Sequence, residues 1–490
     1  MHQVWEIAGI VFGFIWNNLV FLNLVFSIVV VFFQRKDPKT VWGWLLVLYF
    51  IPIVGFVFYL LIGTDMYKQK MFRVKEVEDK LNEAIRQQEN QLKSKKLHEN
   101  DLELQGFSDL VMYNLNTNGA VLTDTNDVDI ITDGEAKFDA LIEDIGQAKE
   151  FIHIQYYIFK NDVVFERLKD ALLKKVAEGV EIRILYDAMG CRTMRKSIWK
   201  KLNKAGIETA EFFPALFGRF QFRVNYRNHR KIVVIDNKVA YVGGFNVAKE
   251  YVGLDPKFGY WRDTHLRIRG DGILGLELRF LLDWNYAAKQ NLFAEQKYMS
   301  GFEPACRDMC DMQIIYSGPD TSLQPIRDNY VRLINKAKEK ICIQTPYFIP
   351  DESMLTALLI AIRSGVEVNL MIPCKPDHPF VYWATYSYMG ELAMAGANCY
   401  IYNDGFLHAK GIIVDDRVFS YGTANMDIRS FALNFEVNAL IYDSKKAKEM
   451  SKRFEEDVLK CTQITKNMYA SRNLWLRIKE QVSRLLSPIL

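Results

Sequence analysis

HRKIVVIDNKVAYVGGFN at 229–246 and HAKGIIVDDRVFSYGTAN at 408–425 are the two stretches that decide the fold of this 490-residue chain. They align without a gap. A repeated structural element would mainly preserve its apolar positions, but three of the six shared residues here are charged or titratable. The repeat therefore indicates a duplicated chemical site. The shared pairs are His229/His408, Lys231/Lys410, Asp236/Asp415, Val239/Val418, Gly243/Gly422 and Asn246/Asn425.

Each copy has the pattern of a strand, a tight turn and a returning strand. A β-branched run (232–235 and 412–414) leads into Asp-Asn-Lys or Asp-Asp-Arg, and apolar residues then resume. Residues i and i+2 share a strand face, so each histidine and its lysine project together. A histidine beside an ammonium group is suited to attacking or protonating a group that the lysine holds, and the obvious group is a phosphate.

The remaining shared residues have less certain roles. Asp236 and Asp415 open the turns, so they serve either turn formation or the chemistry directly. The shared glycines suit a close backbone approach. Asn246 and Asn425 are candidate amide donors to phosphate oxygens.

A second repeat surrounds the motifs. FIHIQYYIF at 151–159, a helical stretch and GVEIRILYD at 179–187 are matched later by KICIQTPYFIP at 340–350, a helix and GVEVNLMIP at 365–373. Strand–helix–strand spacing of this kind predicts parallel strands packed by helices. We therefore predict an α/β fold with two homologous domains, at about 110–300 and 301–465. Two copies of one half-site suggest a pseudo-twofold axis with a single composite site.

Paired H-x-K-x4-D segments followed by Gly and Asn resemble the phospholipase D superfamily, which implies the same two-domain geometry. Three further segments are similar to bacterial cardiolipin synthases. They are RKDPKTVWGWLLVLYFIPIVGFVFYLLIG at 35–63, PDHPFVYW at 376–383 and FLHAK at 406–410.

The N-terminal segment, 1–64, is expected to form a transmembrane hairpin. Residues 7–34 and 40–64 carry no charge, and about 20 apolar residues suffice to span a bilayer. Basic residues are slightly more numerous after the second span than in the loop, which favours a cytoplasmic catalytic part at the inner membrane. They are Arg35, Lys36 and Lys39 in the loop, and Lys68, Lys70, Arg73 and Lys75 beyond it.

Two segments flank the predicted domains. Residues 65–109 are charged and helix-favouring, as expected of a juxtamembrane helix or linker. Residues 466–490 predict an amphipathic helix, whose apolar stripe either packs on the globular domain or lies on a membrane. The stripe comprises Leu474, Trp475, Ile478, Val482, Leu485, Leu486 and Ile489.

Aromatic inserts precede both motifs. Residues 212–222 and 380–388 are rich in Phe, Tyr and Trp, and the first insert is interleaved with arginines. Ordinary core packing explains part of them. A greasy, cationic rim would suit a lipid whose head enters the site, whereas stacked nucleobases are the rival interpretation. The arginines are Arg219, Arg223 and Arg227.

Composition limits the other function classes. A net charge of +3 is too small to predict a nucleic-acid binder by itself. The seven cysteines are scattered beyond the hydrophobic N-terminus, which favours free thiols in a reducing compartment. Cys306 and Cys310 lack a paired Cys/His cluster, so packing thiols are favoured over a zinc site.

Two histidines without a metal cluster predict a covalent mechanism that needs no cofactor. One imidazole attacks phosphorus and gives a phosphohistidine, while the other protonates the leaving alcohol and then activates the incoming hydroxyl. Lys231, Lys410, Asn246 and Asn425 would hold the phosphoryl oxygens. The two copies are symmetrical in sequence, so the residues alone do not say which histidine is the nucleophile.

The resemblance supplies roles for four residues. It implies that His229 is the nucleophile and His408 the general acid/base. In the superfamily a carboxylate downstream of each motif also orients a histidine, which points to Asp263 and Glu436 here. Without the resemblance, these two carboxylates would be interpreted as surface or strand-end ion pairs.

The leading hypothesis is phosphatidyl transfer between two phosphatidylglycerols at a membrane, yielding cardiolipin and glycerol. Hydrolysis by water, or exchange with another alcohol, uses the same half-reaction and stays open. A membrane-tethered nuclease would need a basic track for the polynucleotide, and a non-catalytic scaffold would not need two intact motifs. The sequence leaves the oligomeric state open.

Overall fold

The computed structural model describes residues 13, 18–33, 38–51, 54–55, 59, 86–90, 104, 106–214, 226–305 and 309–487. The chain divides into two compact units. One comprises Met1–Gln69 with Pro214–Tyr226, and the other comprises Lys70–Phe213 with Arg227–Leu490. Most of the predicted linker at 65–109 lies outside the described residues, as do the arginines predicted for the rim at 219 and 223.

The first unit contains two apolar helices, α1 (Leu19–Phe33) and α2 (Pro38–Phe50). Val30, Leu48 and Tyr59 are buried together, and the ring of Trp44 meets that of Tyr59 edge-on at 5.2 Å. Within the described residues, no helix combines the length and apolarity that crossing a bilayer requires. The remaining parts of the predicted spans, 7–34 and 40–64, lie largely outside those residues.

The second unit carries both motifs and alternates strands with helices. Its first half contains α3 (Ser108–Asn118), β1 (Thr123–Ile131), α4 (Gly134–Gln147), β2 (Phe151–Tyr156), α5 (Val163–Ala177), β3 (Glu181–Asp187), α6 (Lys196–Lys204), β4 (Ile207–Phe212), β5 (Arg227–Asn228), β6 (Ile232–Ile235), β7 (Val239–Gly243), β8 (Trp261–Arg262), β9 (His265–Arg269) and α7 (Ile273–Ala288). Short 3₁₀ helices lie at Lys249–Val252, Leu292–Ala294 and Gln296–Met299.

The second half repeats this order. It contains β10 (Cys310–Ser317), α8 (Pro325–Lys336), β11 (Lys340–Gln344), β12 (Phe348–Ile349), α9 (Glu352–Arg363), β13 (Glu367–Pro373), α10 (Pro379–Ala395), β14 (Asn398–Tyr402), β15 (Phe406–Leu407), β16 (Gly411–Val414), β17 (Val418–Gly422), β18 (Met426–Asp427), α11 (Ile428–Ala432), β19 (Asn434–Tyr442), α12 (Ser444–Val458), β20 (Cys461–Ile464), α13 (Lys466–Ala470) and α14 (Leu474–Leu485).

One continuous sheet joins the two halves. From its centre outward, the first half runs β1-β9-β7-β6-β2-β3-β4 and the second runs β10-β19-β17-β16-β11-β13-β14-β20. The central strands β1 and β10 pair antiparallel, as a pseudo-twofold axis between them requires. In both halves the two strands of the strand–helix–strand unit pair parallel, as β2 with β3 and β11 with β13, and the motif strand pairs antiparallel with the first of them. The predicted α/β fold with two homologous domains is confirmed.

Burial explains why these segments form strands. Every residue of β2 is buried, and so is every residue of β6 and β16, as expected of near-continuous apolar runs covered on both faces. The motif turns also follow from their residues. Asp236, Asn237, Asp415 and Asp416 all have positive φ, between 51° and 53°. Tight hairpin turns require this conformation, which Asn and Asp tolerate best among non-glycine residues.

Candidate active site

One short strand directly precedes each motif histidine, and this strand pairs with a strand of the opposite half of the unit. Strand β5, just before His229, pairs with β19 of the second half. Strand β15, just before His408, pairs with β8 of the first half. The backbone N–H of His229 then donates to the Phe435 carbonyl at 2.9 Å, and that of His408 donates to the Arg262 carbonyl at 2.7 Å. Each histidine is therefore positioned by backbone from the other half.

The orienting carboxylates are exchanged in the same way. Nδ1 of His229 lies 2.9 and 3.0 Å from the two carboxylate oxygens of Glu436. Nδ1 of His408 lies 2.6 Å from Oδ2 of Asp263. Each carboxylate thus contacts the histidine of the other half, and not the histidine of the motif it follows in the chain. Sequence order cannot reveal this exchange, because it results from strand pairing across the pseudo-twofold axis.

The carboxylates favour the same tautomer in both rings. An ionised carboxylate only accepts hydrogen bonds, so each contact favours the proton on Nδ1, although at His408 the Nζ of Lys410 also lies 2.7 Å from that nitrogen. Nε2 of His229 and of His408 is then unprotonated and available for attack on phosphorus or for proton transfer. The pair of exchanged contacts therefore creates two equivalent reactive nitrogens.

Each carboxylate is itself held in place, by different neighbours in the two halves. Glu436 accepts hydrogen bonds from Thr423 Oγ1 at 2.6 Å and from Asn434 Nδ2 at 3.1 Å. Asp263 accepts from the Thr264 N–H at 2.7 Å. Gly244 stands where Thr423 stands in the other copy, and a Cβ there would lie 1.9 Å from Asp263 Oδ1. The glycine leaves room for the aspartate.

The glycines shared by the motifs lie against the strands that carry or follow these carboxylates. A Cβ at Gly243 would lie 2.4 Å from the Thr264 carbonyl oxygen, and one at Gly422 would lie 2.3 Å from the Val437 carbonyl oxygen. Both contacts are to backbone, which cannot move aside as a flexible side chain can. The close approach expected of these glycines is thus made to a neighbouring strand.

The two lysines lie buried beside the histidines. Lys231 Nζ donates to the His229 carbonyl at 2.6 Å. Lys410 donates to the His408 carbonyl, and its Nζ lies 2.7 Å from His408 Nδ1 and 3.8 Å from Asp263 Oδ2. Burial lowers the pKa of Lys231 to about 7 and that of Lys410 to about 8, although nearby carboxylates favour the charged forms. A bound anion would offset this desolvation.

Both imidazoles are neutral at neutral pH. Burial, followed by the charge of Lys410, lowers the pKa of His408 to about 4 despite the Asp263 carboxylate. Burial also lowers the pKa of His229, with Glu436 opposing and Lys231 adding to the effect. A neutral imidazole is the form that acts as nucleophile or base.

The two candidate phosphate-binding amides differ in their surroundings. Asn246 is engaged with the protein, since its Oδ1 accepts from the Ile158 N–H at 3.1 Å and its Nδ2 donates to the Tyr251 hydroxyl at 2.7 Å. Asn425 Oδ1 is buried and has no hydrogen-bond partner within the part of the chain that the structure describes. The pseudo-twofold symmetry is therefore incomplete around the reactive nitrogens.

Aromatic rings that the sequence did not single out surround the histidines. Tyr157 meets the His229 ring edge-on at 4.9 Å. Trp261 and Tyr251 lie 5.0 and 6.0 Å from the His408 ring. None of these residues belongs to the motifs themselves. Tyr157 directly follows β2, Tyr251 lies five residues after Asn246, and Trp261 belongs to the WRD segment that also contains Asp263.

Two buried arginine–aspartate ion pairs lie next to the site. Arg230 contacts both carboxylate oxygens of Asp283 at 2.8 and 2.6 Å and donates to the Glu436 carbonyl at 3.2 Å. Arg262, also of the first half, contacts Asp457 of the second half at 3.0 and 2.7 Å. Position 409, which matches Arg230, is Ala, so the equivalent guanidinium comes from a different strand.

The structure does not bring Asp236 and Asp415 to this cluster. The Asp236 carboxylate accepts the backbone N–H groups of Lys149, Glu150 and Phe151 at 2.7 to 2.9 Å. Asp415 does the same for 338–340 at 2.8 to 2.9 Å. Seven residues of extended chain, about 20 Å, separate each aspartate from its histidine. These carboxylates tie the motif turn to the start of β2 or β11.

Comparison with known proteins agrees with this geometry. The family model described as "Cardiolipin synthase, PLD-like domain" matches residues 141–255 and 330–458, and the model "Phospholipase_D-nuclease N-terminal" matches residues 21–63. A cardiolipin synthase of Oceanobacillus iheyensis is 48% identical over 470 residues, which cover 96% of this chain and 97% of the relative. The chain belongs to the cardiolipin synthase family. It is accordingly an enzyme of the phosphatidyltransferase class within the phospholipase D superfamily.

One further relative and one solved structure are also similar to this chain. The major cardiolipin synthase ClsA of Bacillus subtilis is 48% identical over 474 residues, covering 96% of this chain and 97% of that protein. The crystal structure of a phosphatidylserine synthase from Haemophilus influenzae superposes with a TM-score of 0.58 at 15% identity, covering 78% of this chain and 99% of that one. That solved structure therefore has the same fold as this chain.

We expect Asp236→Asn to reduce stability more than catalysis. The substitution removes the charge that accepts three backbone N–H groups, so the free energy of unfolding should fall by about 1–3 kcal/mol. Cardiolipin formation per folded molecule should stay within about threefold of the parent, because the carboxylate is remote from the histidines. Thermal unfolding followed by tryptophan fluorescence, with product quantified by mass spectrometry, measures both.

Asp170→Asn is the matched control, since Asp170 is an exposed carboxylate on α5. It should change neither quantity. A folded Asp236→Asn protein with activity reduced a hundredfold would show that this aspartate takes part in the chemistry.

Proposed function

We propose that the protein transfers a phosphatidyl group from one phosphatidylglycerol to a hydroxyl of another, releasing glycerol and forming cardiolipin through a covalent phosphohistidine. The observation that carries this proposal is the single cluster in which two neutral histidines, each oriented by a carboxylate of the opposite half, flank two buried lysines. Such a cluster can split one phosphodiester exchange into two displacements.

In the first displacement, Nε2 of His229 attacks phosphorus and the bond from phosphorus to the glycerol oxygen breaks. His408 gives the departing oxygen a proton. His408 is neutral in the free protein, so it must gain this proton with the substrate. A bound phosphodiester anion favours the imidazolium, because opposite charges stabilise each other in a desolvated site.

In the second displacement the roles reverse at the same atoms. Nε2 of His408, now unprotonated, takes the proton from the incoming hydroxyl as its oxygen attacks phosphorus. The phosphorus–nitrogen bond to His229 breaks, and that histidine is regenerated. Each step forms one bond to phosphorus as it breaks another, and the proton given to glycerol is replaced by the proton of the acceptor.

Lys231 and Lys410 would bind the non-bridging oxygens and stabilise the charge that develops on them in both displacements. Asn425, whose buried Oδ1 is unpaired within the described residues, could turn its amide toward the same oxygens or toward an acceptor hydroxyl. Asn246 would instead hold Tyr251 against His408. Of the two amides predicted to bind phosphate, Asn425 would thus contact the substrate and Asn246 would support the site.

Two arginines favour a lipid acceptor that carries its own negative charge. Arg227 donates a hydrogen bond to Tyr157, whose ring contacts His229. Arg429 is close enough to this pair that burial, followed by the charge of Arg227, lowers its pKa. Guanidinium groups held near one another attract a phosphate, and the acceptor phosphatidylglycerol brings a second one. Water has no such group.

We also propose that 7–34 and 40–64 cross the inner membrane as a hairpin, with the catalytic part on the cytoplasmic side. The described part of the first span, Leu19–Phe33, carries no charge. Its Val30 is buried with Leu48 and Tyr59 of the second span. A membrane-impermeant maleimide should label Asp37→Cys in intact cells above the background of the parent protein. Labelling that appears only after permeabilisation would contradict this topology.

The reaction itself is tested with purified protein and phosphatidylglycerol vesicles in the presence of a chelator. Mass spectrometry should detect cardiolipin and glycerol in equal amounts. His229→Ala and His408→Ala should each lower the rate by at least a thousandfold, because each removes one of the two essential groups. Phosphatidic acid as the main product would identify a hydrolase, and an added alcohol appearing in the lipid would identify a different head-group exchange.

The buried lysines predict an alkaline loss of activity. Their pKa values of about 7 and 8 are depressed, so the charged forms are lost as pH rises through this range. At subsaturating phosphatidylglycerol, kcat/KM should fall by roughly 500-fold between pH 7 and pH 9 if both charges are needed, and by about tenfold if only that of Lys410 is. At saturating substrate the decline of kcat should move to higher pH, because the bound anion raises both pKa values. A kcat/KM that stays constant to pH 9 would contradict this account.

A further inference from the structure

The C-terminal helix α14 turns its apolar side outward. Leu474 is 72% exposed, Trp475 63% and Leu485 81%, and Ile478 and Val482 are also exposed. At 100° per residue these five side chains fall within an arc of about 100°. They form what we call the C-terminal apolar face. The sequence predicted this stripe and left open whether it packs on the domain; the structure leaves these five of its seven residues exposed, with Leu486 half-buried and Ile489 outside the described residues.

The opposite side of the helix is polar and buried. Glu480 is fully buried and accepts hydrogen bonds from Arg472 Nε at 2.7 Å and from the Tyr469 hydroxyl at 3.1 Å. Arg484 donates to Glu391 of α10 at 2.6 Å. These contacts fix the rotation of the helix, because turning the apolar face inward would carry Glu480 away from Arg472 and Tyr469 and leave those donors without their acceptor. The exposed arrangement is therefore built into the fold.

The apolar face continues onto the start of α10. Lys479 Nζ lies 5.2 Å from the Trp383 ring and 5.7 Å from the Trp475 ring, so it bridges the two helices. Phe380, one turn before Trp383, is more than half exposed. Arg477 is exposed on the other flank of the face. Aromatic and aliphatic side chains bordered by cations thus form one surface on α10 and α14.

This surface adjoins the catalytic cluster. Asp377 stands two residues before α10 and accepts a hydrogen bond from the Tyr347 hydroxyl. Tyr347 lies three residues beyond Gln344, the last residue of β11, and Gln344 pairs with the first residue of the motif strand β16. The end of α10 that carries Phe380 and Trp383 therefore starts beside the strand that follows His408.

We propose that the C-terminal apolar face, together with Phe380 and Trp383, docks onto an anionic phospholipid bilayer and holds the active site at the level of the headgroups. Apolar side chains with flanking Lys and Arg are typical of helices that lie in the interface plane. Tryptophan and lysine also suit the boundary between acyl chains and headgroups. The inference rests on the proposed lipid substrate and adds a membrane contact within the catalytic unit.

A bilayer explains the charges better than a second copy of the chain does. A twofold-symmetric dimer through this face would pack the same patch of both copies together, and because both flanks of the patch are basic, a basic flank would meet a basic flank. Lys479 and Arg477 would then approach like charges. Anionic headgroups instead complement both residues while the acyl chains accept the apolar side chains.

Direct contact is measured with the full-length protein in phosphatidylglycerol proteoliposomes. The emission difference between the parent protein and Trp475→Phe isolates Trp475 among the nine tryptophans. We expect phosphatidylglycerol brominated on its acyl chains to quench this difference signal by at least half. An unquenched signal would overturn the proposal. The proposal would also be overturned if a second copy of the chain, and not lipid, covered Trp475. In that case the mass of the Ile478→Glu protein in detergent would be half that of the parent.

The functional consequence is tested with Ile478→Glu combined with Val482→Glu. Leu459→Glu is the matched control, since Leu459 is 87% exposed and lies outside this surface. The double variant should make cardiolipin at least tenfold more slowly on vesicles, and at the parental rate from short-chain, monomeric phosphatidylglycerol.

Equal vesicle rates for the double variant and Leu459→Glu would overturn the docking proposal. Failure of the parent protein to form cardiolipin from either substrate would refute the proposed reaction instead, and quenching would still report whether the helix docks.

Discussion

The contact between each histidine and a carboxylate of the opposite half is the constraint on which the rest of this structure depends. Glu436 orients His229, and Asp263 orients His408. Because the partners are exchanged, neither half contains a complete catalytic pair. Two features of the sheet make the exchange geometrically possible. The central strands β1 and β10 pair antiparallel, and the short strands β5 and β15 each pair with a strand of the opposite half.

The exchange also explains where the structure places its buried charges. Two lysines and two carboxylates share the cluster, so the cations proposed to bind the phosphodiester anion are desolvated. Burying charges is costly unless each has a partner. Arg230 with Asp283, and Arg262 with Asp457, meet this requirement beneath the two histidines. The position that matches Arg230 in the second motif is Ala409, and the second arginine, Arg262, instead comes from a different strand of the first half, so the two half-sites reach similar support by different routes.

The sequence predicted the parts of this site that lie within continuous segments. The motif histidines, their lysines and the strand–turn–strand geometry follow from spacing and β-branched runs, and the parallel units follow from strand–helix–strand order. The exchanged pairing could not be predicted, because Glu436 follows the motif of His408 and contacts His229 only through the sheet. Tyr157 and Arg262 were missed for the same reason. Periodicity likewise located the apolar side of α14 but not the direction it faces, which the buried Glu480 decides.

The most direct test of the exchange is pre-steady-state kinetics with phosphatidyl-p-nitrophenol, whose leaving group needs no general acid. The assignment of His229 as nucleophile predicts that His229→Ala and Glu436→Gln both lose the rapid release of p-nitrophenol that reports the covalent intermediate. His408→Ala and Asp263→Asn should retain this burst and instead lose the transfer to the acceptor. The variants would then sort into pairs that cross the two halves. If Glu436→Gln behaved like His408→Ala, and Asp263→Asn like His229→Ala, each half would serve its own histidine and the account would be wrong.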